Sequence, residues 1–293
     1  MSENTNSNLG TIQWFPGHMT KTFRVMEKEI KNIDVVIILL DARIPYSSQN
    51  PEVEKLIKNK PRVYILNKRD LADENITNQW IKYFKSNGMG AIAINSKTGK
   101  NSKVIVDKVH AELSELLERR EKRGIEKLKI KAMMVGIPNV GKSTFINSLA
   151  GTRRAKAQDK PGVTRGKQWV TVGDLDLLDM PGVLWPKFEN QNVAANLAFI
   201  GSIKDDVLDI EELVALISEL KEIYPELLKD RYKLTDEDLQ GENYEILGTI
   251  ARKRGMLLPG GVENTERASI MLCDEFRDSK MGRISLERPS ENE

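Results

Sequence analysis

One cysteine, Cys273, and two histidines, His18 and His110, are all that these 293 residues contain of thiol and imidazole side chains. An intrachain disulfide, a cysteine metal cluster and a paired redox motif are therefore excluded. Cys273 is expected to be a buried apolar residue. Long hydrophobic runs are missing as well: the longest, Val35 to Leu40, falls far short of the ~20 residues a membrane-spanning helix requires. The opening MSENTNSNLG has no basic n-region, no apolar h-region and no Arg-rich amphipathic character. No secretory or mitochondrial import signal is visible, and the cytoplasm is the expected location. Internal repeats and low-complexity blocks are absent too.

What is present reads as globular, with enough chain for one substantial core and a second, smaller one. The net charge of +2 hides an asymmetry: Met1 to Pro186 carry 31 Lys/Arg against 20 Asp/Glu, and Lys187 to Glu293 carry 14 against 23. A basic first part suits a polyanion such as RNA; a solvated, lysine-rich surface accounts for it equally well.

The first part alternates strand and helix. The run IDVVIILL (Ile33 to Leu40), apolar but for Asp34, has the length and character of a strand buried on both faces of a parallel sheet, with Asp41 at its carboxyl end. PRVYIL (Pro61 to Leu66), AIAI (Ala91 to Ile94) and Ile130 to Val135 are further strands, and Thr20 to Lys31, Pro51 to Asn59, Ile76 to Asn87, Lys103 to Gly124 and Thr144 to Leu149 are helices. Gly166 to Val172 and Leu175 to Leu178 flank the turn Gly173-Asp174, which predicts a hairpin forming an antiparallel edge. From Val193 onward the periodicity is helical, clearest over Ile210 to Ile223, Asn243 to Arg254 and Thr265 to Ser279. The expected fold class is α/β: residues 21–186 form a nucleotide-binding domain, 1–20 an aromatic segment docking on it, and 187–293 a smaller, mostly helical domain.

Gly136-Ile137-Pro138-Asn139-Val140-Gly141-Lys142-Ser143 matches GxxxxGK[ST] between a strand and a helix. The backbone amides at Asn139, Val140, Gly141 and Thr144 belong to the loop and helix start that cradle phosphates; Lys142 reaches the β- and γ-phosphates and Ser143 can hold Mg²⁺. Asn67-Lys68-Arg69-Asp70 supplies the base preference. A carboxylate at Asp70 accepts from guanine N1–H and the 2-amino group, which adenine does not offer; a helix-start cap is the plainer reading of the tetrapeptide. Asn95-Ser96-Lys97, at the end of AIAI, sits where a loop backbone supports guanine O6. Asp179-Met180-Pro181-Gly182 is a D-x-x-G element: Asp179 binds Mg²⁺ through water and the Gly182 amide senses the γ-phosphate. Thr164 lies between the two phosphate motifs, where a switch threonine completes the metal shell or an ordinary loop threonine stands.

Together these elements resemble the translation-factor-type GTPases, with the base motifs placed before the phosphate loop: the order is circularly permuted. Among permuted GTPases the chain resembles the ribosome biogenesis GTPase A family over nearly its whole length, through Trp14-Phe15-Pro16-Gly17-His18-Met19, Asp41-Ala42-Arg43, NKRD, GIPNVGKST, DMPG and Gly282-Arg283. The resemblance implies GTP hydrolysis to GDP, an RNA-binding helical domain and action late on the large ribosomal subunit precursor, its rRNA and proteins, with no membrane or DNA partner. Val183 follows Gly182 where Ras-like proteins have a water-orienting glutamine, and the resemblance points to His18 instead; packing beside Trp14 and Phe15 is the other role open to it. It also implies K⁺ activation through Asn139, which tight loop geometry alone would equally favour. Arg153, Arg154, Lys156, Lys160, Arg165 and Lys167, with Arg119 to Lys131, could grip rRNA phosphates; Arg252-Lys253-Arg254 is the only dense basic triplet in the acidic part.

Overall fold

The structure is a computed structural model that describes residues 12, 14–98, 102–124, 129–150, 168–204 and 210–289. Thr164 and the basic residues Arg153, Arg154, Lys156, Lys160, Arg165 and Lys167 lie outside the described residues.

The chain divides into two compact units. The first, Phe15–Pro186 together with residues 287–289, holds the sheet. In chain order its elements are α1 (Gly17–Glu29), β1 (Val35–Asp41), α2 (Pro51–Leu56), β2 (Arg62–Asn67), α3 (Glu74–Ser86), β3 (Gly90–Ala93), α4 (Ser102–Glu112), α5 (Ser114–Lys122), β4 (Ile130–Gly136), α6 (Lys142–Ala150), β5 (Gln168–Val172) and β6 (Leu175–Asp179). Every residue of β1 is buried, as its unbroken apolar run requires of a central strand. The six strands run β3-β2-β1-β4-β6-β5. All neighbours are parallel except β5 and β6, which form the antiparallel edge. Helix α3 closes one face with Trp80 and Phe84, whose ring stacks on Tyr64 at 4.7 Å between centroids. Each such buried aromatic contributes about 1.5–3 kcal/mol.

One expected helix is two. The stretch read as a single charged helix breaks at Leu113, which is buried and whose N–H is shared between the carbonyls of Val109 and His110. Turning the buried Leu113 inward tightens the last turn of α4 and re-aims α5, whose residues are all solvent-facing or half-buried.

The parallel register decides where the motifs meet. Asp41 pairs with Asn67, Leu39 with Gly136, Met134 with Asp179, and Leu66 with Ala93. All five strand ends therefore open on one carboxyl edge, the usual place for a ligand in an open α/β sheet. Chain order is irrelevant to that meeting.

The second unit, Lys187–Leu286 with Ile12 and Trp14, is helical: α7 (Gln191–Phe199), α8 (Ile210–Ile223), α9 (Pro225–Tyr232), α10 (Asp236–Gln240), α11 (Asn243–Lys253) and α12 (Thr265–Arg277). The Ile12 N–H donates to Gln191 Oε1 at 3.0 Å. Three of these helices were not marked by a clear period. Helix α7 is apolar nearly all round, with five of its residues buried; α9 starts on Pro225 at its first turn; α10 is only five residues long, under a Thr235/Asp238 capping box. Cys273 is buried at 1% exposure. Among the described residues no helix is long and apolar enough to cross a membrane.

Candidate functional site

The motif residues described at the carboxyl edge of the sheet belong to the first unit. The phosphate loop leaves β4 at Gly136 and enters α6 at Lys142. Asn139 stands in the left-handed region at φ 58°, as does Lys68 at φ 60°. That conformation costs a non-glycine residue about 1 kcal/mol and is held here by specific partners. The Lys68 ammonium donates to the Asn139 carbonyl at 2.8 Å and sits 3.0 Å from Asp41 Oδ2. Asn67 is the second tie. Its Nδ2 donates to the Val140 carbonyl at 2.8 Å, while its Oδ1 accepts from Ser96 N at 3.1 Å and Ser96 Oγ at 2.7 Å. One buried asparagine thus fixes the phosphate loop and the Asn95-Ser96-Lys97 loop to each other. The Asn95 side chain in turn accepts from Lys97 N at 2.8 Å.

Behind Lys68 lies a fully buried ion pair that the sequence marked without assigning a task. Arg43 donates to Asp41 through Nε at 2.9 Å and Nη2 at 2.8 Å, and neither residue is more than 1% exposed. Burial works against the Asp41 carboxylate, but Arg43 and Lys68 together outweigh it and hold Asp41 well below the usual carboxylate range.

Two side-chain oxygens at this edge are buried without a hydrogen-bond partner: Asp70 Oδ1 and Asp179 Oδ1. A buried acceptor left unpaired costs about 1–3 kcal/mol, so each is best explained by something it receives. Asp70 follows Asn67 by three residues and can take the guanine edge; Asp179 ends β6 beside the phosphate loop and can face a metal ion. Burial raises the Asp179 carboxyl to about 6 against the pull of Lys142, and burial lowers the Lys142 ammonium to about 8 against the pull of Asp179. Anionic phosphates would restore the charge on Lys142 and a divalent cation the charge on Asp179. These residues and the Ser143 hydroxyl fit Mg²⁺, which prefers one or two protein oxygens with phosphates and water completing the shell.

Gly182 is needed for closeness: a Cβ there would lie 2.8 Å from backbone atoms of Pro138 and 2.9 Å from Lys142 Nζ. Val183 is 1% exposed, its N–H donating to the Gly136 carbonyl at 3.2 Å and its carbonyl accepting from Asn50 Nδ2 at 3.0 Å. Its side chain is core, so it neither positions nor polarises a water. Asn50 was not singled out in the sequence; its Oδ1 also caps α2 at Glu52 and Val53. His18 lies exposed in the first turn of α1. The next residue, Met19, is buried, and its sulfur accepts from Leu184 N at 3.4 Å. The start of α1 is thereby set against the chain just beyond Gly182. His110 pairs with Asp174 at 2.7 Å on the surface.

The sheet, the phosphate loop and the D-x-x-G turn define a P-loop GTPase in circularly permuted order, with Asn67 to Asp70 and Asn95 to Lys97 before its phosphate loop in the chain. Comparison with known proteins agrees. The family model described as 50S ribosome-binding GTPase matches residues 131–245, beginning at β4. The ribosome biogenesis GTPase A of Priestia megaterium is 45% identical over 97% of this chain and 99% of its own length, and that of Bacillus cereus is 44% identical over 96% and 95%. The crystal structure of GNP-bound YlqF from T. maritima superposes with a TM-score of 0.65 at 29% identity, covering 92% of this chain and 99% of that one. The chain belongs to the ribosome biogenesis GTPase A family.

Proposed function

We propose that this GTPase binds a large ribosomal subunit precursor in its GTP form, late in assembly, and leaves after hydrolysis. The near end-to-end likeness to relatives named for ribosome biogenesis supports the partner. The observation that carries the chemistry is the pair of buried, unpartnered carboxylate oxygens at opposite sides of the phosphate loop, one for base and one for metal.

In this reading Asp70 accepts from guanine N1–H and the 2-amino group, and the Asn95-Ser96-Lys97 backbone supports O6. Lys142 and the loop amides hold the β- and γ-phosphates. Ser143, Thr164 and, through water, Asp179 would hold Mg²⁺, which would supply charge neutralisation to the phosphates. A water oxygen bonds to the γ-phosphorus as the bond to the β–γ bridging oxygen breaks, and the electron pair leaves on GDP. His18 holds that water or takes its proton, since Val183 is packed away. Asn139, whose backbone carbonyl accepts from Lys68, would offer its side-chain oxygen to K⁺. The nucleotide is handled by residues up to 186, and residues 187–293 carry contacts to the particle in the cytoplasm.

A chaperone in which hydrolysis is incidental is not favoured, because the relatives that match nearly the whole chain are named as GTPases of ribosome biogenesis. GTP hydrolysis measured in KCl and NaCl, with and without large subunits, tests the reading. Strong K⁺-dependent stimulation by subunits is expected; a flat, low rate in all four conditions would sink it.

A further inference from the structure

Between α11 and α12 the chain makes a tight hairpin, Leu257 bridging Glu263 in antiparallel fashion. Leu258 N–H donates to the Val262 carbonyl at 2.8 Å and Asn264 N–H to the Met256 carbonyl at 2.9 Å. The turn depends on Gly260 at φ 88° and Gly261 at φ 82°. Its base is stapled by Arg252 to Glu263 at 2.7 Å. This hydrogen-bonded tip displays Leu257 at 48%, Leu258 at 46% and Val262 at 56% exposure, with Leu258 and Val262 facing each other across the hairpin. No core reason exists for placing three large aliphatic side chains on six residues of solvent-facing turn. A preorganised apolar cluster loses little entropy on docking.

The chemistry of the surroundings selects the partner. RNA is gripped by free cations and stacked on aromatic or guanidinium planes. The tip offers aliphatic groups only. Each cation of the basic triplet beside it already has a partner within the unit, Arg252 with Glu263, Lys253 with Asp238 at 3.0 Å and the Lys233 carbonyl, and Arg254 with Glu275 at 3.8 Å and the Tyr232 ring. The surrounding sequence from Lys187 to Glu293 carries 23 Asp/Glu against 14 Lys/Arg, which repels phosphates and attracts basic protein.

We infer that the Leu257–Val262 hairpin is a protein-docking tip that seats in an apolar pocket of a basic protein on the large ribosomal subunit. It rests on the reading that the large subunit is the partner. Salt-washed large subunits are the probe, with full-length chain loaded with a non-hydrolysable GTP analogue. Leu258→Ser combined with Val262→Ser should leave GTP affinity and Tm unchanged, because both side chains are half-exposed, and weaken co-sedimentation about tenfold. A photoreactive benzoylphenylalanine at position 258 should give a cross-link removed by proteinase and kept after ribonuclease. Cross-linking to RNA, or unchanged sedimentation of the double variant, overturns the docking inference while leaving the assembly reading intact. Failure of the unsubstituted chain to sediment overturns both.

Discussion

The two units handle buried charge in opposite ways. In the helical unit, Glu275 is surrounded: Arg231 reaches both its oxygens, Tyr232 Oη donates at 2.9 Å and Arg254 lies 3.8 Å away. Its carboxyl is held down, chiefly by the Arg231 hydrogen bonds. In the sheet unit Asp41 is equally well paired, but Asp70 and Asp179 each keep a buried oxygen that no side chain or amide meets. Among the described residues the helical unit has no such atom. A saturated carboxylate holds structure together, and one left open at a strand end awaits chemistry.

That contrast can be broken by substitution. Lys142→Ala should have the largest effect, lowering kcat/KM for GTP by ~10³-fold in steady-state assays while the thermal transition barely moves. Asp41→Ala should cost about 3–5 kcal/mol in urea unfolding, because Arg43 and Lys68 are left without their counter-charge; a cost below 1 kcal/mol would mean the site reorganises around them. Arg231→Ala, in the other unit, should cost about 2 kcal/mol and leave guanine nucleotide affinity unaltered. Smallest is the effect of acid. Asp41 and Glu275 both have lowered pKa values, so their stabilisation is complete above the ordinary carboxylate pKa of about 4 and is lost as pH falls further. A denaturation midpoint that stays constant from pH 5 to pH 2.5 would contradict that.

The sheet was legible because its strands are short apolar runs that end on motif residues: Asp41, Asn67 and Asp179 close their strands. Parallel pairing then forces those ends together whatever the chain order. Less legible was what depends on two distant side chains meeting. Asn50 before Pro51 reads as a helix cap, but nothing in the sequence says that it also holds the Val183 carbonyl, or that Met19 packs its sulfur on Leu184. The kink at Leu113 was hidden by the charged residues around it, although one buried leucine decides it. In the helical unit, the amphipathic α8, α11 and α12 were clear from their period. Helix α7 was not, since it is short and its five buried residues are mostly alanines, which leave little period to show; the capping box of α10 was present as Thr235-x-x-Asp238 and could have been used. The triplet Arg252-Lys253-Arg254 stood out in the sequence as the only dense basic run of the acidic part; the carboxylate that folding brings near each of its cations did not.

The central claim is that base-recognition residues placed ahead of the phosphate loop fold back to read guanine through Asp70. The most direct measurement is the affinity of the full chain and of Asp70→Asn for GDP and for xanthosine diphosphate. An asparagine can donate to the xanthine 2-carbonyl where the carboxylate accepted from the guanine amino group, so the preference should invert, with GDP binding weakened at least ~10²-fold. Unchanged preference for GDP in Asp70→Asn would show that guanine is read elsewhere and would contradict the account.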